Sequence, residues 1–358
     1  MNLPLRLRRS RKRLRRRQRK RLKRRLREDI FGIMQKMRYL LIGNYGVGNI
    51  GDEALREYFF HSYSDVDWTV VSAHPRRGEV PRFPLGVRSL LRPWWRTFHA
   101  LHGSDGVVFG GGTLFTDVES VYACVLWWWH AFIARLFGKQ VHLAFQGIGP
   151  FRTSLGERLA RSVVASAATV SVRDLHSFER VKHWRMNKKI ILTFDPVISL
   201  IHEEKIDRET KNVFVIIPRG NSDASFIKQA DDSFKEGHFD RAVILSLQPG
   251  NSDEERLCEK LRSRLGVRAA VLPVRTLQEL VQAIASGSQV LCQRYHGALV
   301  ALALKKPVSI VPQETDDKLS ALRQLATQSL DRATLLSLVR DAEDALRSAL
   351  RSPRGHTP

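Results

Sequence analysis

From residue 38 onward the chain alternates short apolar runs with longer stretches of helical pattern. The runs fall at 39–42, 68–72, 106–109, 140–145, 169–172 and 190–193. After Asp195-Pro196-Val197 a polar stretch, 202–211, interrupts them. They resume at 213–217, 242–247, 269–273, 289–292 and 307–311, and residues 319–350 read as helix rich in Leu, Ala and Arg. Strand and helix in alternation, with glycines at the strand ends, predict parallel sheets covered by helices. The expected organisation is an α/β domain over 37–200, a linker over 201–211 and a second α/β domain over 212–330. A C-terminal helix over 331–350 and a tail over 351–358 follow. Ligands of such sheets sit at the carboxyl ends of strands, so two domains facing each other across a cleft is the economical arrangement. A helix is predicted over 118–137; it carries Trp127, Trp128 and Trp129. Three consecutive residues cannot share one helix face, so the core takes one or two and the third lines a sugar site or an oligomer surface.

The net charge of +23 changes this picture only at one end. Residues 6–27 hold 16 Arg or Lys and no acid, which leaves +7 for the remainder. A block of like charges is solvated; it can bind anionic membrane, or nucleic acid without sequence selectivity. Alternatively residues 1–36 are a mis-assigned start and the natural chain begins at Met37 or Met34, directly before the first strand. On either reading the arm does not decide the function, and no specific nucleic-acid partner is expected. Three scattered cysteines, Cys124, Cys258 and Cys292, argue against a disulfide framework and a cysteine zinc site, and fit the reducing cytoplasm. No apolar run is long enough to span a membrane. No cluster has metal-ligand spacing, so neither metal nor cofactor is expected.

Candidate chemistry gathers where strands end. The segment 40–55 reads Leu-Leu-Ile-Gly-Asn-Tyr-Gly-Val-Gly-Asn-Ile-Gly-Asp-Glu-Ala-Leu, a strand, a glycine-rich turn and a helix start. Unpaired N–H groups there favour an anion, and glycine permits close approach by a ligand. The spacing is neither the dinucleotide fingerprint nor the P-loop. A second glycine run, Gly110-Gly111-Gly112, follows the 106–109 strand and leads to Asp117, either the cap of the next helix or a substrate ligand. A third, Gln146-Gly147-Ile148-Gly149-Pro150, follows the 140–145 strand. Three glycine turns after strands of one sheet line one edge of the domain. Arg173 and Asp174 end the 169–172 strand; Arg173 either pairs structurally or meets an anion. In the second domain Arg294 and His296 sit at a strand-to-helix turn, where Arg offers a fork of donors and His can exchange a proton near neutral pH.

Together these motifs resemble one family. Asn49-x-Gly51-Asp52-Glu53-Ala54, Gly110-Gly111-Gly112-Thr113-Leu114, Gln146-Gly147-Ile148-Gly149-Pro150, Ser171-Val172-Arg173-Asp174, Asp195-Pro196 and Arg294-x-His296 are similar, in order, to those of polysaccharide pyruvyl transferases, closest to the branch that modifies cell-wall polymers for S-layer anchoring. The likeness covers about residues 38–325. It departs at Gln293 and Tyr295, where relatives more often carry a small polar residue and Leu, and in the loop at Pro312-Gln313-Glu314.

The resemblance implies two Rossmann-like domains facing a cleft, glycosyltransferase-B-like. It implies transfer of the carboxyvinyl group of phosphoenolpyruvate to a glycan or lipid-linked glycan, ending as a pyruvate ketal. His296 and Arg294 would be catalytic, with Asn49, Gly51, Asp52, Gly110, Gly111, Gly112, Asp117, Gln146, Gly147, Arg173 and Asp174 around the substrates. Work in the cytoplasm, at the inner face of the membrane, would follow. The alternatives are a nucleotide-sugar glycosyltransferase on the same architecture and an arm-driven binder of nucleic acid or membrane.

Overall fold

The computed structural model describes residues 36–86, 89, 91–201, 212–313, 318–327 and 331–351. The basic arm, the polar stretch 202–211, Glu314 and the C-terminal tail lie outside the described residues.

The first sheet has seven parallel strands in the order β3-β2-β1-β4-β5-β6-β7. They are β1 (Met37–Ile42), β2 (Val66–Ser72), β3 (Val80–Pro81), β4 (Gly106–Phe115), β5 (Gln140–Ile148), β6 (Thr169–Val172) and β7 (Ile191–Leu192). Between them run α1 (Ile50–Ser62), α2 (Trp95–His102), α3 (Val121–Leu136), α4 (Ser154–Ser166) and α5 (Leu175–His183), and a 3-10 turn, Pro196–Leu200, closes the series. The second sheet has five parallel strands in the order β10-β9-β8-β11-β12. These are β8 (Val213–Ile217), β9 (Arg241–Ser246), β10 (Ala269–Pro273), β11 (Gln289–Cys292) and β12 (Val308–Ile310). Helices α6 (Ala224–Glu236), α7 (Ser252–Leu265), α8 (Leu277–Ala285), α9 (Tyr295–Ala303) and α10 (Lys318–Thr327) accompany them. Central strands such as β8, buried along its whole length, read as unbroken apolar runs because helices cover both faces.

Three features depart from the sequence expectation. The glycine run 110–112 is strand, not turn: β4 continues through it to Phe115. A Cβ on Gly110 would lie 2.5 Å from Leu41 Cδ1 and from the Tyr45 hydroxyl, and one on Gly111 would lie 2.8 Å from Leu55 Cδ2. Glycine is needed there so that α1 and its preceding loop can lie close against the sheet. β5 likewise runs through Gln146 and Gly147 to Ile148. The two-residue edge strand β3 gave no sequence signal, and its proline is tolerated because an edge strand can forgo a ladder donor.

The helical pattern at 319–350 is two helices, α10 and α11 (Arg332–Arg351). α11 returns to the first domain. Tyr39 Oη donates to Leu350 O at 3.1 Å, Thr193 Oγ1 to Leu338 O at 2.9 Å and Tyr58 Oη to Glu343 Oε1 at 2.5 Å. Its buried stripe of Val339, Ala342, Leu346 and Leu350 joins a core that also holds Leu55 and Tyr58 of the first domain and Leu280 and Leu299 of the second. Among the described residues no helix is long and apolar enough to cross a membrane.

Candidate functional site

Each sheet reverses winding direction between two neighbouring strands, β1 and β4 in the first and β8 and β11 in the second. Such a switch point opens a crevice at the strand carboxyl ends. The two crevices meet. Arg219, just after β8, reaches Glu119 in an exposed ion pair, and donates from Nη1 to Gln313 Oε1 at 3.1 Å.

On the first-domain side, α1 starts where the sequence placed a helix start. Asn49 caps it, its Oδ1 accepting from Gly51 N at 3.2 Å. The Asn49 amide also donates to Asp52 Oδ2 at 2.8 Å, and Asn44 donates to the same oxygen at 3.2 Å. Arg82 holds Asn44 Oδ1 at 2.9 Å while its guanidinium lies 4.8 Å above the Trp127 ring. Burial pushes the Asp52 carboxyl above its ordinary pKa, and the positive charges of His296, Lys318 and Arg173, with the Asn44 bond, offset only part of this.

Between the domains lies a buried charged cluster. Arg173 is 1% exposed and Asp195 fully buried, and Arg173 Nη1 pairs with Asp195 Oδ2. Arg173 Nη2 donates to Thr113 Oγ1 at 3.0 Å, and the guanidinium stacks 4.6 Å from the Tyr295 ring of the second domain. Asp195 Oδ1 accepts from Val197 N at 3.0 Å, capping the 3-10 turn. Burial alone would raise its pKa; Arg173, His296 and the Val197 N–H outweigh that and hold the carboxylate well below the usual range. His296 completes the cluster from α9. Its Nε2 stands 3.7 Å from Asp195 Oδ2, and its ring lies over Gly51, where a Cβ would come within 1.8 Å of Nδ1. His296 Nε2 and Arg173 Nε are buried with no hydrogen-bond partner among the described residues. Buried polar atoms are rarely left so, and two at one spot mark a place for a ligand.

Lys318, at the start of α10, has Nζ 5.8 Å from the Tyr295 ring centre. Burial, with repulsion from Arg173 and Arg219, pushes its amine down to about 8 despite the attraction of Asp52 and Glu119.

The sequence candidates thus separate. Asn49, Gly51, Asp52, Arg173 and His296 converge, with Gly112 beside them, its would-be Cβ 3.4 Å from Asp52 Oδ1. Gly110, Gly111 and Gly147 serve close packing, the last against Thr113. Three polar candidates are committed to protein partners instead. Gln146 Nε2 is spent on the carbonyls of Phe109, Gly111 and Ala144, locking β4 to β5, while its Oε1 is buried without a hydrogen-bond partner among the described residues. Asp117 does not cap α3, which Ser120 does; it accepts from Arg152 N at 2.5 Å and from Thr153 N at 2.8 Å, fixing the turn before α4. Asp174 caps α5 through Ser177 N at 2.7 Å. Arg294 turns into its own domain, where Nη2 meets Glu254 and Gln248 Oε1, the latter at 2.9 Å. Burial and Arg219 push its pKa down to about 10. Asp195, Thr113, Tyr295, Lys318 and Arg219 belong to the site or its mouth without having been singled out for it. Asp195-Pro196 at a strand end was a readable signal; Lys318, inside a helical pattern, gave none.

The class of protein follows from the two sheets: two Rossmann-like domains face a cleft, glycosyltransferase-B-like. Solved structures agree at the level of fold. Anabaena Alr3699/HepE in complex with UDP-glucose superposes with a TM-score of 0.55 at 16% identity, covering 87% of this chain and 100% of that one. UDP-N-acetylglucosamine 2-epimerase from Rickettsia bellii gives 0.54 at 12% identity, over 88% and 96% of the two chains. The S. aureus MnaA–UDP structure gives 0.52 at 10%, with the same coverage. Comparison with curated proteins gave no match. The family model for polysaccharide pyruvyl transferase matches residues 7–313, and the chain belongs to that enzyme family.

Proposed function

We propose that the cleft binds phosphoenolpyruvate and transfers its three-carbon unit to a sugar of a cell-surface polysaccharide or its lipid-linked precursor, leaving a pyruvate ketal. The observation that carries this reading is the buried Arg173–Asp195–His296 cluster, which joins both domains over the N-terminus of α1. Asp195 Oδ2 stands 3.7 Å from His296 Nε2 and orients the ring, and imidazole is the side chain suited to give and take a proton near neutral pH. Delivered to the methylene carbon of the donor, that proton makes a methyl group and leaves an oxocarbenium-like centre. One sugar hydroxyl adds there, its proton returning to His296. The C–O bond to phosphate then breaks, a second hydroxyl closes the ketal, and its proton leaves with the phosphate. The donor is trianionic. Lys318, Arg219 and the α1 N-terminus supply the opposing positive potential, and preorganised charge of this kind lowers the barrier most where water is excluded.

The test is phosphate release from phosphoenolpyruvate by the full chain with a panel of lipid-linked amino-sugar acceptors. Acceptor-dependent release is expected, and His296→Ala should lower it by ~100- to 10,000-fold with unchanged thermal unfolding. Nucleotide release from a UDP- or GDP-sugar, with none of phosphate from phosphoenolpyruvate, would assign the cleft to sugar transfer instead.

A further inference from the structure

α3 has a second apolar side that the described residues cover only in part, Tyr122 and Trp129 donating to the carbonyls of Leu85 and Pro84. Its inner side, with Leu126, Trp127, Ala131 and Ile133, is buried in the first-domain core. Its outer side is also apolar. Tyr122, Trp129, Phe132 and Leu136 recur at helical spacing, and the Phe132 ring stacks on Trp128 at 5.2 Å and Trp129 at 5.8 Å. Leu136 is 72% exposed. The face continues onto α2, where Phe98 packs on Phe137 at 5.5 Å and Trp95 is 62% exposed. A helix apolar all round belongs in a core or against a nonpolar phase, and contiguous exposed aromatics of this kind mark a contact surface.

We infer that this face docks on an anionic lipid bilayer. The charge pattern selects the occupant. Residues 82–104 and 120–156 contain no Asp or Glu at all, while Arg96 and Arg135, next to Trp95 and Leu136 in the chain, are exposed. Tryptophan, tyrosine and phenylalanine with arginine and without acids suit the headgroup boundary, where rings enter the interface and cations meet lipid phosphate. A second copy of the chain is disfavoured, because a two-fold interface would bring together two faces that carry arginines and no acids to pair them. Docking this way has a consequence for the cleft. α3 begins directly after Glu119, the partner of Arg219 across the cleft mouth, and Trp127 of α3 supports the Arg82 that holds Asn44. A bilayer on α3 therefore lies beside the entrance to the site.

The test uses the full chain, so that the basic arm is constant, and flotation with vesicles of phosphatidylcholine alone or mixed with phosphatidylglycerol. Salt high enough to screen the arm leaves the apolar contribution. The wild type should still float with the mixed vesicles, and the Trp95→Ser/Phe132→Ser/Leu136→Ser variant should partition at least about tenfold less. A second readout needs no loss of binding. The native cysteines are buried, so Leu136→Cys offers a selective site for an environment-sensitive dye, whose emission should shift to the blue on mixed vesicles. Equal flotation of variant and wild type in high salt would overturn the proposal, as would an unshifted dye. So would a wild-type dimer that the triple variant converts to monomer, since the face would then belong to a second copy. Neither measurement depends on turnover, so the assignment of the reaction stands or falls separately.

Discussion

Gly51 is small because His296 is near. The sequence showed the capped helix start, Asn49-x-Gly51-Asp52, and local chemistry explained it: the side-chain oxygen of Asn49 takes the Gly51 N–H. It could not show why the second helical residue is glycine, since the neighbour is a histidine 245 positions away. Gly51→Ala puts a methyl group 1.8 Å from His296 Nδ1 and must push the ring off Asp195. Because the neighbour is a side chain, the fold should survive while kcat/KM falls by at least about 100-fold, the lower range for a positioned acid. Near-normal turnover of a folded Gly51→Ala enzyme would mean that the observed ring position is not the working one. Asp195 carries the same lesson. A strand-end Asp before Pro reads as a cap, which it is for Val197, but its other oxygen neutralises a buried arginine that directly follows β6.

Among the elements, strands were more legible than what happens at their ends. Runs such as 213–217 and 289–292 appear as β8 and β11 with unchanged bounds, because residues buried on both faces leave an unbroken apolar signature. The glycine run of β4 misled, since glycine signals a turn unless a helix lies so close that no Cβ fits. α11 was legible as a helix but not as a part of the first domain. Its stripe has the right period, and no periodicity names the partner. Leu346, 3% exposed, lies in that stripe. Leu346→Ala should cost ~2–5 kcal/mol of stability, read as a lower denaturation midpoint. A change within ~0.5 kcal/mol, the range of surface substitutions, would show that α11 is not held as described.

At the scale of the whole molecule the proposed chemistry draws on charges that neither domain holds alone. Lys318 from the second domain feels Arg173 and Asp52 from the first, and burial with its cationic neighbours brings its amine down to about 8. Its charge is present below that pH and lost above it. If Lys318 helps to hold a trianionic donor, KM for phosphoenolpyruvate should rise as pH passes upward through about 8. Lys318→Met should start from a higher KM and lose this limb of the profile. A profile for Lys318→Met that still bends at the same pH would assign the titration to another group.

The sequence by itself determined that the chain is α/β, where its parallel strands lie apart from the short edge strand β3, that a helix starts at Asn49, and which family it resembles. These depend on properties of neighbouring residues: apolar runs, caps and short motifs. The tertiary structure alone decided which polar residues serve the site. Asn49, Gly51, Asp52, Arg173 and His296 converge, whereas Asp117, Asp174 and the amide nitrogen of Gln146 are spent inside the fold, and Asp195 and Lys318 enter from positions that gave little or no local signal. The reason is physical. A buried polar side chain must find a partner, and whether that partner is a nearby backbone group or a charge from the opposite domain is settled only when the two sheets meet.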